Sequence, residues 1–99
     1  MSLIQPWCRG WWRRRSKRTA VLEYTTKGIR TTAVGHAFID TPLMTALPAE
    51  AKAGLAALHP IGRLGSATEV ANLVLFLLSD KASFISGSYH LVDGGYTAQ

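Results

Sequence analysis

The sequence predicts an α/β fold built on one helical crossover between two parallel strands, and three observations predict it. A β-branched run from Ile29 to Val34 lies between Gly28 and Gly35 and suits a strand. An apolar stretch from Ala67 to Leu78 follows a Ser-x-x-Glu start and suits a helix. A second alternating run, Ser88 to Val92, ends at Asp93-Gly94-Gly95 and suits another strand. Two strands separated by a helix strongly favour parallel pairing with a right-handed connection.

In chain order, residues 1–18 stand apart by composition. Residues 1–20 hold six of the eleven Lys and Arg and no acid, whereas residues 21–99 hold five basic and six acidic residues. Trp7, Trp11, Trp12 and the single Cys8 fall in the same tail. Tryptophan beside arginine suits nucleic acid or an anionic membrane surface, and the plainer expectation is a disordered tail. A third reading is a shifted frame. TGG TGC AGG GGG TGG TGG CGG CGG CGN is one allowed coding for Trp7 to Arg15, and read one base earlier it gives Val-Val-Gln-Gly-Val-Val-Ala-Ala-Ala, an ordinary helix. The tail's apolar start and charged end reverse the order of a secretory signal, so export is not expected. One cysteine forms no internal disulfide, which fits a reducing, cytoplasmic setting. The longest apolar run, Leu73 to Leu78, falls far short of the ~18 residues that span a bilayer.

Thr19 to Lys27 reads as the end of a helix that Gly28 stops with a left-handed cap. The strand from Ile29 is expected to end at Gly35, and Gly35 to Thr41 then forms a loop at its carboxyl end, where open α/β sheets bind ligands. Pro42 suits a first helical position. Leu43 to Leu58 reads as a short helical pair broken at Pro48, either cover for an apolar face or a movable lid. His59 to Gly65 is a loop punctuated by proline and glycines. Ser66 and Glu69 form a capping box for the helix 67–78, which is apolar around most of its circumference and is expected to be covered on every wide side. Ser79-Asp80 closes it, and Phe84 to Gly87 leads to the last strand.

In the pieces LEYTTKGIR, AVGHAFIDTPLM, HPIGRLGSATEVANLVLFLLSD, FISGS and HLVDGG, residues 19–99 resemble the C-terminal third of the short-chain dehydrogenase/reductase superfamily. Its members are Rossmann-fold oxidoreductases of alcohols and ketones that use NAD or NADP. The resemblance implies the C-terminal βαβ part of a doubly wound parallel sheet, incomplete. It implies a nicotinamide-binding segment comprising His36, the backbone near Ile39 and the Thr41 hydroxyl. Thr32-Ala33-Val34 and His36 stand where the family shows Asn-Ala-Val and a proline. Without the proline's fixed φ the loop is expected to be looser. The family's catalytic tyrosine and lysine would fall near Pro6 and Gly10, and its phosphate loop and catalytic serine ahead of Met1. A silent chain with weak or no dinucleotide binding and no catalytic residues is therefore expected. In the family the last helix and strand lie at a subunit contact, which implies self-association or a homo-oligomer through 67–78 and 88–92. The alternative from another class is a small assembly module whose basic tail binds nucleic acid or anionic membrane.

The remaining candidates weigh toward structure. His36, His59 and His90 have no Cys or Asp at a metal-ligand spacing, so no metal site is expected. His90 reads as a half-buried strand residue, and Asp40 and Asp93 as turn residues, not an acid and base pair. For Thr41 the competing role is to cap the helix that starts at Pro42.

Overall fold

A computed structural model describes residues 15–99. Residues 1–14 lie outside the described residues, and with them most of the basic tail and its readings. Helix α1 (Arg15–Tyr24) extends ahead of Thr19, as the end of a longer helix would, passes into a 3-10 turn over Thr25–Lys27, and stops at Gly28. Gly28 takes φ 81°, and its N–H bonds the Thr25 carbonyl at 3.1 Å, which is the left-handed cap a glycine allows at low cost.

β1 (Ala33–His36) pairs in parallel with β4 (Tyr89–Val92), in a register that sets Ala33 beside Tyr89 and His36 beside Val92. The strand differs from expectation at both ends. Ile29 to Thr32 stays outside the ladder, because its backbone groups are taken elsewhere. Ile29 N donates to the Tyr24 carbonyl, Thr31 N to the Ser86 hydroxyl, and the Thr31 carbonyl accepts from Gly87 N. Gly35 does not end the strand; it pairs with Leu91 inside it. A Cβ there would sit 2.6 Å from Tyr89 Cζ, so this glycine makes room for a neighbouring ring and breaks nothing.

A second parallel pair joins β2 (Ile39–Asp40) to β3 (Gly65–Ser66), in two stretches that read as loop. Between them α2 (Pro42–Thr45) begins at its proline and α3 (Ala49–Ala57) follows Pro48, as the broken helical pair predicts.

Helix α4 (Ala67–Leu78) carries both bonds of its capping box. Ser66 Oγ accepts from Glu69 N at 3.2 Å, and the Glu69 carboxylate accepts from Ser66 N at 2.8 Å. Such a cap stabilises a helix by about 1 kcal/mol. The expected all-round cover is not found. Leu77 is buried, while Leu75 and Leu78 are 65% and 76% exposed. The helix meets β3, β4 and the 3-10 turn Asp80–Ala82 on one side, and no second layer lies on the other among the described residues. Phe84 is likewise open to solvent. The second edge of β1 has no strand beside it among the described residues. Among residues 18–99, where burial is described, the buried apolar side chains are Ala33, Leu77 and Ala82, a small core. Among the described residues no helix is long and apolar enough to cross a membrane.

Candidate functional site

The loop that β1 delivers is short and held at the Ala37, Phe38 and Thr41 carbonyls and the Phe38 N–H. His36, the last residue of β1, is exposed, and its ring Nδ1 lies 2.8 Å from the Ala37 carbonyl, to which it donates. A ring bond therefore holds part of what a proline would fix. Phe38 donates its N–H to His59 Nε2 at 3.4 Å and accepts from Gly65 N at 3.2 Å. Because extended backbone alternates sides, committing Phe38 to β3 turns the N–H and C=O of Ile39 the opposite way. Asp40 then pairs with Lys52 at 3.3 Å, an exposed contact between β2 and α3.

Thr41 is the N-cap residue of α2 by backbone geometry, with φ −109° and ψ 169°, yet its side chain makes no capping bond. Its carbonyl does the anchoring, accepting from Met44 N at 2.8 Å and from Thr45 N and Oγ1 at 3.0 Å. The competing capping role of its hydroxyl is thus not exercised.

Behind the loop lies a cleft of about 270 Å³, walled by Phe38 and Ile39, by His59, Ile61 and Arg63, by Glu69 at the start of α4, and by the end of β4. Among the three candidate loop residues Ile39 lines it, while His36 and Thr41 do not. Two of the lining residues, Phe38 and His59, belong to an aromatic cluster completed by Tyr96, which does not line the cleft. Phe38 meets His59 and Tyr96 edge-on, with centroids 5.9 and 6.0 Å apart, and His59 and Tyr96 lie 5.2 Å apart. Tyr96 is held there by Asp93, whose carboxylate accepts from Gly95 N, Thr97 N and Thr97 Oγ1 at 3.1, 3.0 and 2.6 Å. Burial pushes the Asp93 carboxyl up, but the bonds from Thr97 and Gly95 outweigh it and hold it below its usual range.

At the rim Arg63 grips Glu69 through two bonds of 2.7 and 3.0 Å. That fork is the main reason the Glu69 carboxyl is lowered to about 2, with the Ser66 N–H adding to it. Glu69 therefore serves one ion pair and one helix cap at once.

The histidines do not converge. His90 bonds Ser88 Oγ at 2.7 Å on β4, His36 faces solvent, and His59 is buried; the described residues hold no cluster able to bind a metal ion. Asp40 and Asp93 serve the separate contacts given above. What the sequence did not flag is the trio Phe38, His59 and Tyr96. Their separations of 21 and 37 residues follow no local period, and the one available signal was an aromatic side chain inside a loop.

The parallel crossover, with its loop and cleft at the carboxyl end of β1, has counterparts in known proteins. A family model described as enoyl-(acyl carrier protein) reductase matches residues 14–97. The chain belongs to the short-chain dehydrogenase/reductase superfamily. It is 51% identical over 81 residues to the cis-4-hydroxycyclohexanecarboxylate dehydrogenase of Sinomonas cyclohexanicum, covering 82% of this chain and 32% of that protein. To the cyclohexanol dehydrogenase of Acinetobacter sp. strain SE19 it is 50% identical over 82 residues, 83% of this chain and 32% of the relative. A crystal structure of a short chain dehydrogenase family protein from Francisella tularensis superposes with a TM-score of 0.77 at 31% identity, over 86% of this chain and 40% of that one. The chain thus spans about a third of the length of these curated dehydrogenases, and its fold is an incomplete part of a Rossmann domain.

Proposed function

We propose that this chain carries the nicotinamide-contacting end of an NAD(P)-dependent alcohol or ketone oxidoreductase and does not catalyse by itself. The observation that carries the reading is the commitment of Phe38. With its N–H and C=O both taken inside the chain, Ile39 is left presenting one donor and one acceptor, and the Thr41 hydroxyl, free of capping, adds another of each. A carboxamide offers a carbonyl acceptor and an N–H₂ donor, so this donor set fits the nicotinamide end of the dinucleotide. When bound, that group would exchange a hydride with the carbon of an alcohol or ketone. The chain's own residues bind and orient. Ile39 and Thr41 hold the carboxamide, His36 stiffens the loop through Ala37, and the pair α2 and α3 covers the site as a lid.

Silence follows from what the motif positions hold. By the family's spacing the catalytic tyrosine and lysine would fall near Pro6 and Gly10, and neither of these can move a proton. Phosphate contacts at a helix start supply much of a dinucleotide's affinity, so these 99 residues alone should bind no tighter than about millimolar, ~4 kcal/mol. The names of the two cyclohexane-ring alcohol dehydrogenases favour a secondary alcohol on a ring as the substrate class. A cytoplasmic location goes with a cysteine content that needs no oxidising compartment. Self-association through α4 and β4 belongs to the same reading, as cover for the exposed leucines.

The test is calorimetry with NADH and NADPH, together with a carbonyl panel assayed for cofactor oxidation. The expected result is no turnover and millimolar binding that Thr41→Ala weakens further. Turnover that survives repurification, or micromolar binding indifferent to Thr41→Ala, contradicts the reading.

A further inference from the structure

His59 is 3% exposed, and each of its ring nitrogens faces a group that can act in only one sense. Nδ1 lies 2.9 Å from the Leu55 carbonyl, which can only accept, so the proton sits on Nδ1. Nε2 lies 3.4 Å from Phe38 N, which can only donate, so Nε2 presents its lone pair. One tautomer satisfies both contacts, and it is the neutral Nδ1–H form. The residue's own backbone is fixed as well. Its N–H bonds the Ala56 carbonyl at 3.1 Å, its carbonyl accepts from Gly62 N at 2.8 Å, and Pro60 restricts the chain just beyond.

We propose that His59 is a positioning residue that couples α3 to the ligand loop by holding the Phe38 amide and so aiming Ile39. A second contact points the same way. Lys52 within α3 pairs with Asp40, and His59, two residues beyond the helix, is tied back to it by the Leu55 and Ala56 carbonyls. Phe38 and Asp40 flank Ile39, so α3 and the turn that ends it grip the loop on both sides of the residue that faces the ligand. The two grips are unequal. The Lys52 pair is open to solvent on its Asp40 side and weak, whereas the bond to the buried His59 ring is part-buried and leaves a backbone donor unpaired when lost. The loop's aim therefore follows His59, and a displacement of α3 is passed to Ile39 through it. The inference deepens the proposed function and rests on the reading of Ile39 as the nicotinamide contact.

The experiment is NMR on the ¹⁵N-labelled full chain. In the unaltered protein the imidazole nitrogens report the tautomer directly, with Nδ1 protonated and Nε2 bare as the expected result; a proton on Nε2 overturns the proposal without any variant. His59→Phe keeps a ring beside Tyr96 and removes both bonds. Phe38 amide exchange should then rise about tenfold, while Gly65, which still bonds the Phe38 carbonyl, keeps its protection. His59→Gln, which restores an acceptor, should recover part of the Phe38 protection. Equal Phe38 exchange in all three proteins overturns the proposal. Titration with NADH separates the two readings. Shifts at Ile39 and Thr41 that weaken in His59→Phe support both. An intact tautomer and an exchange effect, with no NADH shift in any protein, leave the tether standing and overturn the nicotinamide reading alone.

Discussion

The carboxyl end of β1 and the outer face of α4 are built from the same chain on opposite plans. At the strand end the polar groups around Ile39 and Thr41 are answered locally. Phe38 is held by His59 and Gly65, Asp93 by Gly95 and Thr97, and Glu69 by Arg63 and Ser66. On α4 the apolar groups are left unanswered, with Leu75 and Leu78 open and β1 unpaired along one edge among the described residues. The lesson concerns the reach of the two kinds of interaction. Hydrogen-bonded loops can be completed by residues a few ångströms away, but an apolar helix face needs a whole layer, and these residues supply one layer only.

The sharpest way to break the contrast is on the helix. Leu75→Lys with Leu78→Lys removes apolar area whose burial stabilises by about 2 kcal/mol per leucine, so self-association should weaken by roughly a thousandfold in its constant. Sedimentation velocity across a dilution series reads this, and an unchanged distribution means the face is not the contact.

Next in size is His59→Ala. Losing a buried ring and leaving the Phe38 N–H unpaired should cost about 3 kcal/mol. Urea unfolding at matched protein concentration checks it, since association would otherwise shift the midpoint. A change below about 1 kcal/mol would mean the loop end is not the self-contained region described here.

Gly35→Ala sharpens the account of β1. The added methyl meets the Tyr89 ring, an overpacking worth about 1–2 kcal/mol, and Tyr89→Val in the same chain should relieve most of it. Lack of relief would assign the glycine's role to backbone conformation instead.

The smallest effect is a pH dependence. Glu69 has its folded-state value depressed to about 2 from 4.5, so its contribution is fully present above about pH 4.5 and is lost as pH falls toward 2. The pair is exposed, so salt should shrink the effect, and Glu69→Gln should flatten the acid limb of a thermal-melting profile. An acid limb unchanged by that substitution would place the sensitivity elsewhere, with Asp93 the next carboxylate to examine.

How much of this was legible depended on whether the signal was local. Gly28, Pro42, Pro48 and the Ser66 and Glu69 box declare helix ends within four residues, and all four ends stand where the sequence placed them. The parallel pairing of β1 and β4 followed from the helix between the strands. The strand limits did not follow, because the Ile29 and Thr31 backbone groups bond Tyr24, Ser86 and Gly87 instead, contacts that no pattern encodes. Nor did β2 and β3, two residues each, whose pairing exists only in the folded chain. Of the candidate site, Ile39 and Thr41 came from the family resemblance alone, and the uncommitted hydroxyl of Thr41 is what the structure adds. His59 was passed over because its partners come from Leu55 on one side and Phe38 on the other. The apolar character of α4 was plain in its sequence, but character alone does not say what covers it.

Residue-resolved hydrogen exchange on the isolated chain at two concentrations tests the central contrast most directly. The account predicts that the Phe38 and Gly65 amides keep the same protection on dilution from micromolar to nanomolar, while protection in the second half of α4, around Leu75 and Leu78, falls as the contact that covers it dissociates. A chain that is monomeric at both concentrations, with α4 as well protected at the lower as at the higher, would contradict it, since the helix face would then need no partner.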